Sequence, residues 1–277
     1  MVSVHNFSYG LLNPVLAYGM SALGAFLGLR CMILSRAYEG AAKARWLILA
    51  AVSIGAVGIW AMHFIAMLGF TIPGEPIRYN VPITVGSLLI SVGVVTIGSF
   101  IVGFGNGGWP RLIAGGVVIG VGVAAMHYMG MAAMSMTGSM SYSLPLVTLS
   151  VLIAIVAGTA ALWIGTWVRS VVATIGAALV MGVAVTGMHY TGMAALRVTG
   201  GLMPSMGGID GVSAASGVSG ATAATFLIPL LLVVSLATFL ATLSISMTPG
   251  EDEIRADAEI RRRLQYLEQR GTPEHVA

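Results

Sequence analysis

Long apolar runs, broken by short clusters of polar and turn-forming residues, organise this chain. Seven of them can be read off, at residues 11–34, 46–69, 81–104, 112–135, 145–168, 171–196 and 223–247. An α-helix needs about 20 apolar residues to cross a bilayer, and only helices and closed barrels satisfy their backbone there. Barrel strands would alternate in hydropathy over about ten residues, and these runs are uniformly apolar. The pattern predicts an all-α fold: a polytopic membrane protein built as a seven-transmembrane helix bundle. It divides the chain into a membrane domain over 1–247 and a short charged tail over 248–277.

The polar positions between the runs orient the bundle. Arg36, Lys43 and Arg45 follow the first run, Arg111 the third and Arg169 the fifth, whereas the other side has Arg78 and Arg197. The positive-inside rule predicts an N-terminus outside and a cytoplasmic C-terminus, in the cell inner (cytoplasmic) membrane. No Lys or Arg precedes the first run, so it is read as a retained helix and not as a signal peptide. In the tail, Pro249-Gly250 ends the last helix and a charged helical stretch is expected from Glu251 to about Arg270. Trp46, Trp109, Trp163 and Trp167 fall near the inner ends, where aromatic belts occur.

Composition agrees: 57% of the 277 residues are hydrophobic and 8% charged, with a mean hydropathy of +0.93. The formal charge of +3 is scattered over loops and tail, so nucleic acid is not an expected partner and the lipid bilayer is. Cys31 is the single cysteine, which excludes an intramolecular disulfide. No Asp or Glu falls inside any apolar run, which argues against proton transport or hydrolysis relying on membrane carboxylates.

Against this background one polar pattern stands out. Met62-His63-Phe64, Met126-His127-Tyr128 and Met188-His189-Tyr190 each fall near the end of an even-numbered run, and Met67, Met131 and Met193 follow four residues after each histidine. At 1.5 Å per residue the three imidazoles share a depth of roughly 9–12 Å below the outer boundary. His63 and Met67 share a helix face, as do the two later pairs, while the Met before each histidine points about 100° away. Small residues flank that first Met at four-residue spacing: Gly58 and Ala66, Gly122 and Gly130, Ala184 and Gly192. Such spacing lets membrane helices approach closely, so helices two, four and six are expected to converge.

A single histidine at this depth usually bonds to a neighbouring helix, and a single Met usually packs. Three of each in register favour a ligand set, because ionisable groups in a membrane mark functional sites. Imidazole with thioether selects copper, above all Cu(I). The expected metal ligands are His63, His127 and His189 with Met62, Met126, Met188, Met67, Met131 and Met193. Met203 and Met206, in a loop rich in Gly, Ser and Ala, are candidates to hand over Cu(I), and His5 is a weaker extra ligand.

The triplets, with Met-His-Tyr-Thr complete at Met188 to Thr191, resemble the signature of the MHYT family of bacterial integral-membrane sensor proteins. The resemblance covers about residues 5–245. It implies a sensor that holds one or two copper ions through the motif Met and His residues and senses a diatomic gas (oxygen, carbon monoxide or nitric oxide). Family members often carry a cytoplasmic cyclic-di-GMP domain. The residues after Thr248 are too few for one, so a separate cytoplasmic output protein is the expected partner and no enzyme activity is expected. Two alternatives stay open: a membrane redox or electron-transfer protein with copper or b-type haem, and, less favoured, a copper carrier. The carrier is disfavoured because the inner half offers only scattered Met20, Met32, Met181 and Met247.

Overall fold

In the computed structural model the described residues are 7–73, 76–105, 108–136, 139–199, 220–246, 256 and 259–266. Six helices among them are long and apolar enough to cross a membrane. They are α1 (Leu12–Ser35), α2 (Gly40–Met67), α3 (Val81–Gly103), α4 (Trp109–Ala132), α5 (Leu144–Trp167) and α6 (Val171–Ala195). The protein is therefore a multi-pass helical membrane protein. The seventh expected segment is also helical, as α7 (Ile228–Ser246) behind a π-helical turn at Ala223–Leu227. Its described apolar stretch, Ala223–Thr238, is shorter than the other six. His5, Met203 and Met206 lie outside the described residues, as does most of the tail, of which 259–266 are helical.

Local chemistry sets the helix starts. Pro82, Pro110 and Pro145 occupy the first turns of α3, α4 and α5, where a missing N–H costs nothing. Asn80 and Ser170 accept from the N–H groups of Ile83 and Ala173, capping α3 and α6. Each helix packs on its neighbours in sequence and α6 returns to α1, which closes a ring of six. Helix α7 lies against α1 and the middle of α2. That middle, Ser53–Ala61, is π-helical and leads directly into the first motif. Ser91 Oγ donates to the Gly55 carbonyl 2.8 Å away, tying α3 to this wider stretch.

The seams are closed by small residues. A Cβ built on Gly24 of α1 would stand 2.3 Å from the backbone nitrogen of Gly58, so here two helix backbones touch. Overpacking typically costs about 1–3 kcal/mol, and backbone cannot swing aside as a side chain can. Gly24→Ala should lower the thermal midpoint of the detergent-solubilised protein. Gly19→Ala, where nothing lies within 4 Å, should leave it unchanged or raise it.

The loops at the motif end hold structure that hydropathy did not predict. Strand β1 (Arg78–Tyr79) pairs antiparallel with β2 (Met134–Ser135) on one side and β5 (Ala221–Thr222) on the other. Strand β3 (Ser139–Tyr142) pairs with β4 (Leu196–Thr199). The all-α expectation is corrected to this extent. Segments of two to four residues are too short to display an alternating pattern, yet their backbone groups still need partners. The pairings join the loops that follow α2, α4 and α6, and so bind the motif ends of those helices together.

A buried three-histidine centre

Helices α2, α4 and α6 converge at their motif ends, where Met62–Met67 contacts both other helices. His63, His127 and His189 are 0%, 1% and 1% exposed. Their rings meet edge to face, with centroids 4.9, 4.9 and 5.1 Å apart. His63 Nδ1 lies 3.0 Å from His189 Nδ1 and 3.1 Å from His127 Nδ1. The three residues that 64- and 62-residue intervals set apart in sequence form one cluster. One ring nitrogen of each lies within 4.8 Å of the others.

This contact pattern has a chemical consequence. A neutral imidazole carries one N–H and one lone pair, so His63 Nδ1 is either a donor or an acceptor. As a donor its single hydrogen can point well at one neighbour only. As an acceptor its one lone pair can take only one good hydrogen bond. Two Nδ1 atoms at 3.0 and 3.1 Å therefore leave one contact poorly satisfied in a metal-free, neutral cluster. A cation among the three nitrogens accepts all three lone pairs at once. With metal–nitrogen bonds of about 2.0–2.1 Å, three ligating nitrogens would stand about 3.3–3.6 Å apart, a few tenths of an ångström beyond the two contacts that His63 Nδ1 makes. The residues present thus fit a metal ion held through Nδ1. Such an ion leaves the proton on Nε2, and the Nε2 atoms of His63 and His127 are buried without a protein partner.

Two glycines seat these Nε2 edges. A Cβ on Gly130 would fall 2.5 Å from His63 Nε2, and one on Gly192 would fall 2.3 Å from His127 Nε2. His63 and His127 thus each rest on the glycine three positions after the next motif's histidine. The sequence marked both glycines as helix-approach residues, but in the structure they make room for imidazoles. Gly58 and Gly122 do serve helix approach, toward odd-numbered partners: Gly24 on α1 and Val94 on α3.

The motif aromatics form an outer layer. Phe64, Tyr128 and Tyr190 each stand edge-on to the histidine before them, at 4.7, 4.9 and 5.0 Å. Each in turn meets an aromatic from outside the spans: Tyr79 for Phe64, Tyr142 for Tyr128 and Phe7 for Tyr190. The Tyr128 hydroxyl also pairs with Ser150 Oγ at 2.8 Å, and Asn13 donates to the Ile65 carbonyl. Burial pushes the pKa of Tyr79 and Tyr142 above the ordinary phenol value, helped at Tyr142 by Tyr128. None of these partners was visible in the sequence, since each comes from a loop or from another helix.

All six motif methionines are buried. Met62 packs with Ala17 and Ala66, and Met67, Met126, Met131, Met188 and Met193 join the main core. Met188 also lines an apolar cavity of about 40 Å³ together with Met32 and Met181. Among the described residues the buried polar set is Ser, Thr, Asn13 and the three histidines, with no carboxylate.

These features define a helical membrane protein with a buried histidine centre repeated from one motif. The chain carries the MHYT repeat twice: the family's "Bacterial signalling protein N terminal repeat" matches residues 57–115 and 120–178. The third motif lies beyond both stretches. Over 164 residues the chain is 44% identical to the bifunctional diguanylate cyclase/cyclic di-GMP phosphodiesterase MucR of Pseudomonas aeruginosa, covering 57% of this chain and 24% of that protein. It is 41% identical over 145 residues to the cyclic di-GMP phosphodiesterase NbdA of the same species, covering 50% of this chain and 18% of that protein. It is 33% identical over 166 residues to the signaling protein YkoW of Bacillus subtilis, covering 54% and 19%. The chain thus spans about a fifth to a quarter of these relatives. No solved structure matches it.

Proposed function

We propose that the protein is a membrane sensor whose input centre is a copper ion held by His63, His127 and His189 through Nδ1. The close approach of His63 Nδ1 to both other Nδ1 atoms carries this reading. The absence of buried carboxylates among the described residues favours a monovalent ion. Charge solvation energy grows with the square of the charge, and an uncompensated buried charge is costly. Cu(I) with neutral ligands therefore suits the site better than Zn²⁺. The motif methionines Met62, Met126, Met188, Met67, Met131 and Met193 are the thioether candidates, and two ions are the upper expectation. A bound copper ion supplies an open coordination position for a diatomic gas, or a redox change between two states. The chain's own residues hold three imidazoles in register and exclude water, and they link ligand geometry to the packing of α2, α4 and α6.

A sensor signals only if its ligand binds two conformations unequally. The π-helical stretch of α2 is a natural element to change, since π segments recur at functional sites. Seven spans, an outside N-terminus, the inner membrane and a separate cytoplasmic output protein complete the proposed topology. The relatives' names associate such chains with cyclic-di-GMP enzymes. This chain is proposed to be the sensing part and not itself an enzyme. Full-length protein purified in detergent and loaded anaerobically with Cu(I) should retain one to two copper ions after desalting. X-ray absorption should then report nitrogen neighbours. A protein that stays copper-free after loading overturns the proposal, and a Soret band in the untreated protein would favour the haem alternative.

A further inference from the structure

The end of the bundle opposite the histidines holds a second built feature. A cavity of about 290 Å³ opens there, lined by Ser35 and Arg36 at the end of α1, Lys43 and Leu47 of α2, Val102 and Gly103 of α3 with Gly105 just beyond it, and Gly165 and Thr166 of α5. It is far larger than the apolar cavity above it, and Met32 lines both. Its polar character is cationic. Arg36 donates to the carbonyls of Thr166 and Val168 at 2.6 Å each, which fixes its guanidinium in the wall. Lys43 is half-buried with its ammonium 5.5 Å from the centre of the Phe104 ring, and it has no carboxylate partner among the described residues. The Arg111 side chain lies across Gly105, with Nη1 2.8 Å from where a Cβ would stand.

The hydroxyls in the wall point away from an anion-donor role. Ser35 Oγ donates to the Met32 carbonyl and Thr166 Oγ1 to the Leu162 carbonyl, both at 2.7 Å. With Arg36 committed to backbone carbonyls, Lys43 is the charged donor that lines the cavity. Cations at this end are expected from the positive-inside bias and from the C-termini of α1, α3 and α5. Neither effect by itself creates a 290 Å³ space beside a half-buried ammonium. A half-buried ammonium lining such a space matches a phosphate oxygen.

We infer that this vestibule binds a phosphate group, with Lys43 as its principal contact and the positive charge of Arg36 in its wall. The phosphate comes either from a soluble phosphate compound or from the headgroup of an anionic lipid. Lys43 lies in the first turn of α2 and His63 in its last turns, so one helix connects both sites.

The test uses the full chain in detergent and follows its thermal midpoint. It is titrated with inorganic phosphate and pyrophosphate, with phosphatidylglycerol, and with phosphatidylcholine as a zwitterionic control. The wild type should be stabilised by a phosphate probe or by phosphatidylglycerol, and not by phosphatidylcholine. Stabilisation by the inorganic probes identifies a soluble source, and stabilisation by phosphatidylglycerol alone identifies the headgroup. Lys43→Ala should weaken the response tenfold or more, while Lys43→Arg retains it. An unchanged thermal midpoint of Lys43→Ala without added ligand shows that the bundle still folds, and keeps this test separate from that of the histidine site. No stabilisation of the wild type, or an equal response from Lys43→Ala, overturns the inference. So does a response that appears only after Glu251→Gln, Asp252→Asn and Glu253→Gln are combined, because the chain's own acidic segment would then be the occupant.

Discussion

His63→Ala should abolish copper retention, and it should do so more completely than either His127→Ala or His189→Ala. His63 is the residue whose Nδ1 meets both other Nδ1 atoms, at 3.0 and 3.1 Å. Removing it leaves His127 and His189 without their shared neighbour, whereas removing His127 leaves the His63 and His189 pair in place. Copper content by mass spectrometry of the loaded wild type should fall from one or two per chain to background in His63→Ala. A partial, weakly held fraction is expected in the other two variants. If the cluster were only a hydrogen-bonded strut, the pattern would differ. Hydrogen bonds between membrane helices average about 0.6 kcal/mol, so the variants would lose modest stability, and wild type and variants alike would retain no copper. His63→Gln separates the two cases further, because it keeps a polar side chain and supplies no imidazole.

The second large effect is expected at the glycine seats. Gly192→Ala puts a methyl group 2.3 Å from His127 Nε2, and Gly130→Ala puts one 2.5 Å from His63 Nε2. Both distances are about 1 Å short of normal van der Waals contact. The terminus of a flexible side chain could swing away, but these rings are held by each other and by the aromatic after them. Alanine is worth about 0.5–1 kcal/mol over glycine in a helix interior. The overlap should outweigh that gain, since overpacking typically costs about 1–3 kcal/mol. A displaced imidazole should also lower copper affinity by tenfold or more. Gly187→Ala, one residue before the third motif and with nothing within 4 Å, should leave copper binding intact and stability equal or higher. If Gly192→Ala retained full copper and gained stability, the seat would have no role.

Much of the site was legible because its signal is strong in one dimension. Polar imidazoles are costly in an apolar run, so His63, His127 and His189 stood out at once, and their equal distance from the ends of even-numbered runs implied a common depth. Six of the seven expected spans are helices of sufficient length and hydropathy, because apolar composition alone drives a segment into a membrane. The small residues were also visible, yet their roles were not. Gly58 lies four residues before its motif Met and Gly130 four residues after its own, on the same helix face, and one meets a helix backbone while the other meets an imidazole. Spacing along a helix defines which face a residue occupies, not what will stand opposite.

By itself, then, the sequence determined a helical membrane bundle, its repeated Met-His-aromatic motif and the equal placing of the three imidazoles near the ends of their runs. Hydropathy and helical rise act locally, and a single chain displays both. Only the tertiary structure decided that His63 Nδ1 meets the other two Nδ1 atoms, that Gly130 and Gly192 seat His63 and His127, and that Phe7, Tyr79 and Tyr142 complete the aromatic layer. It also decided the two-to-four-residue strands that join the loops, and the cationic vestibule at the far end. These depend on how the six-helix ring closes, α6 against α1, and on side chains far apart in sequence arriving within about 3 Å of one another, which no local pattern encodes.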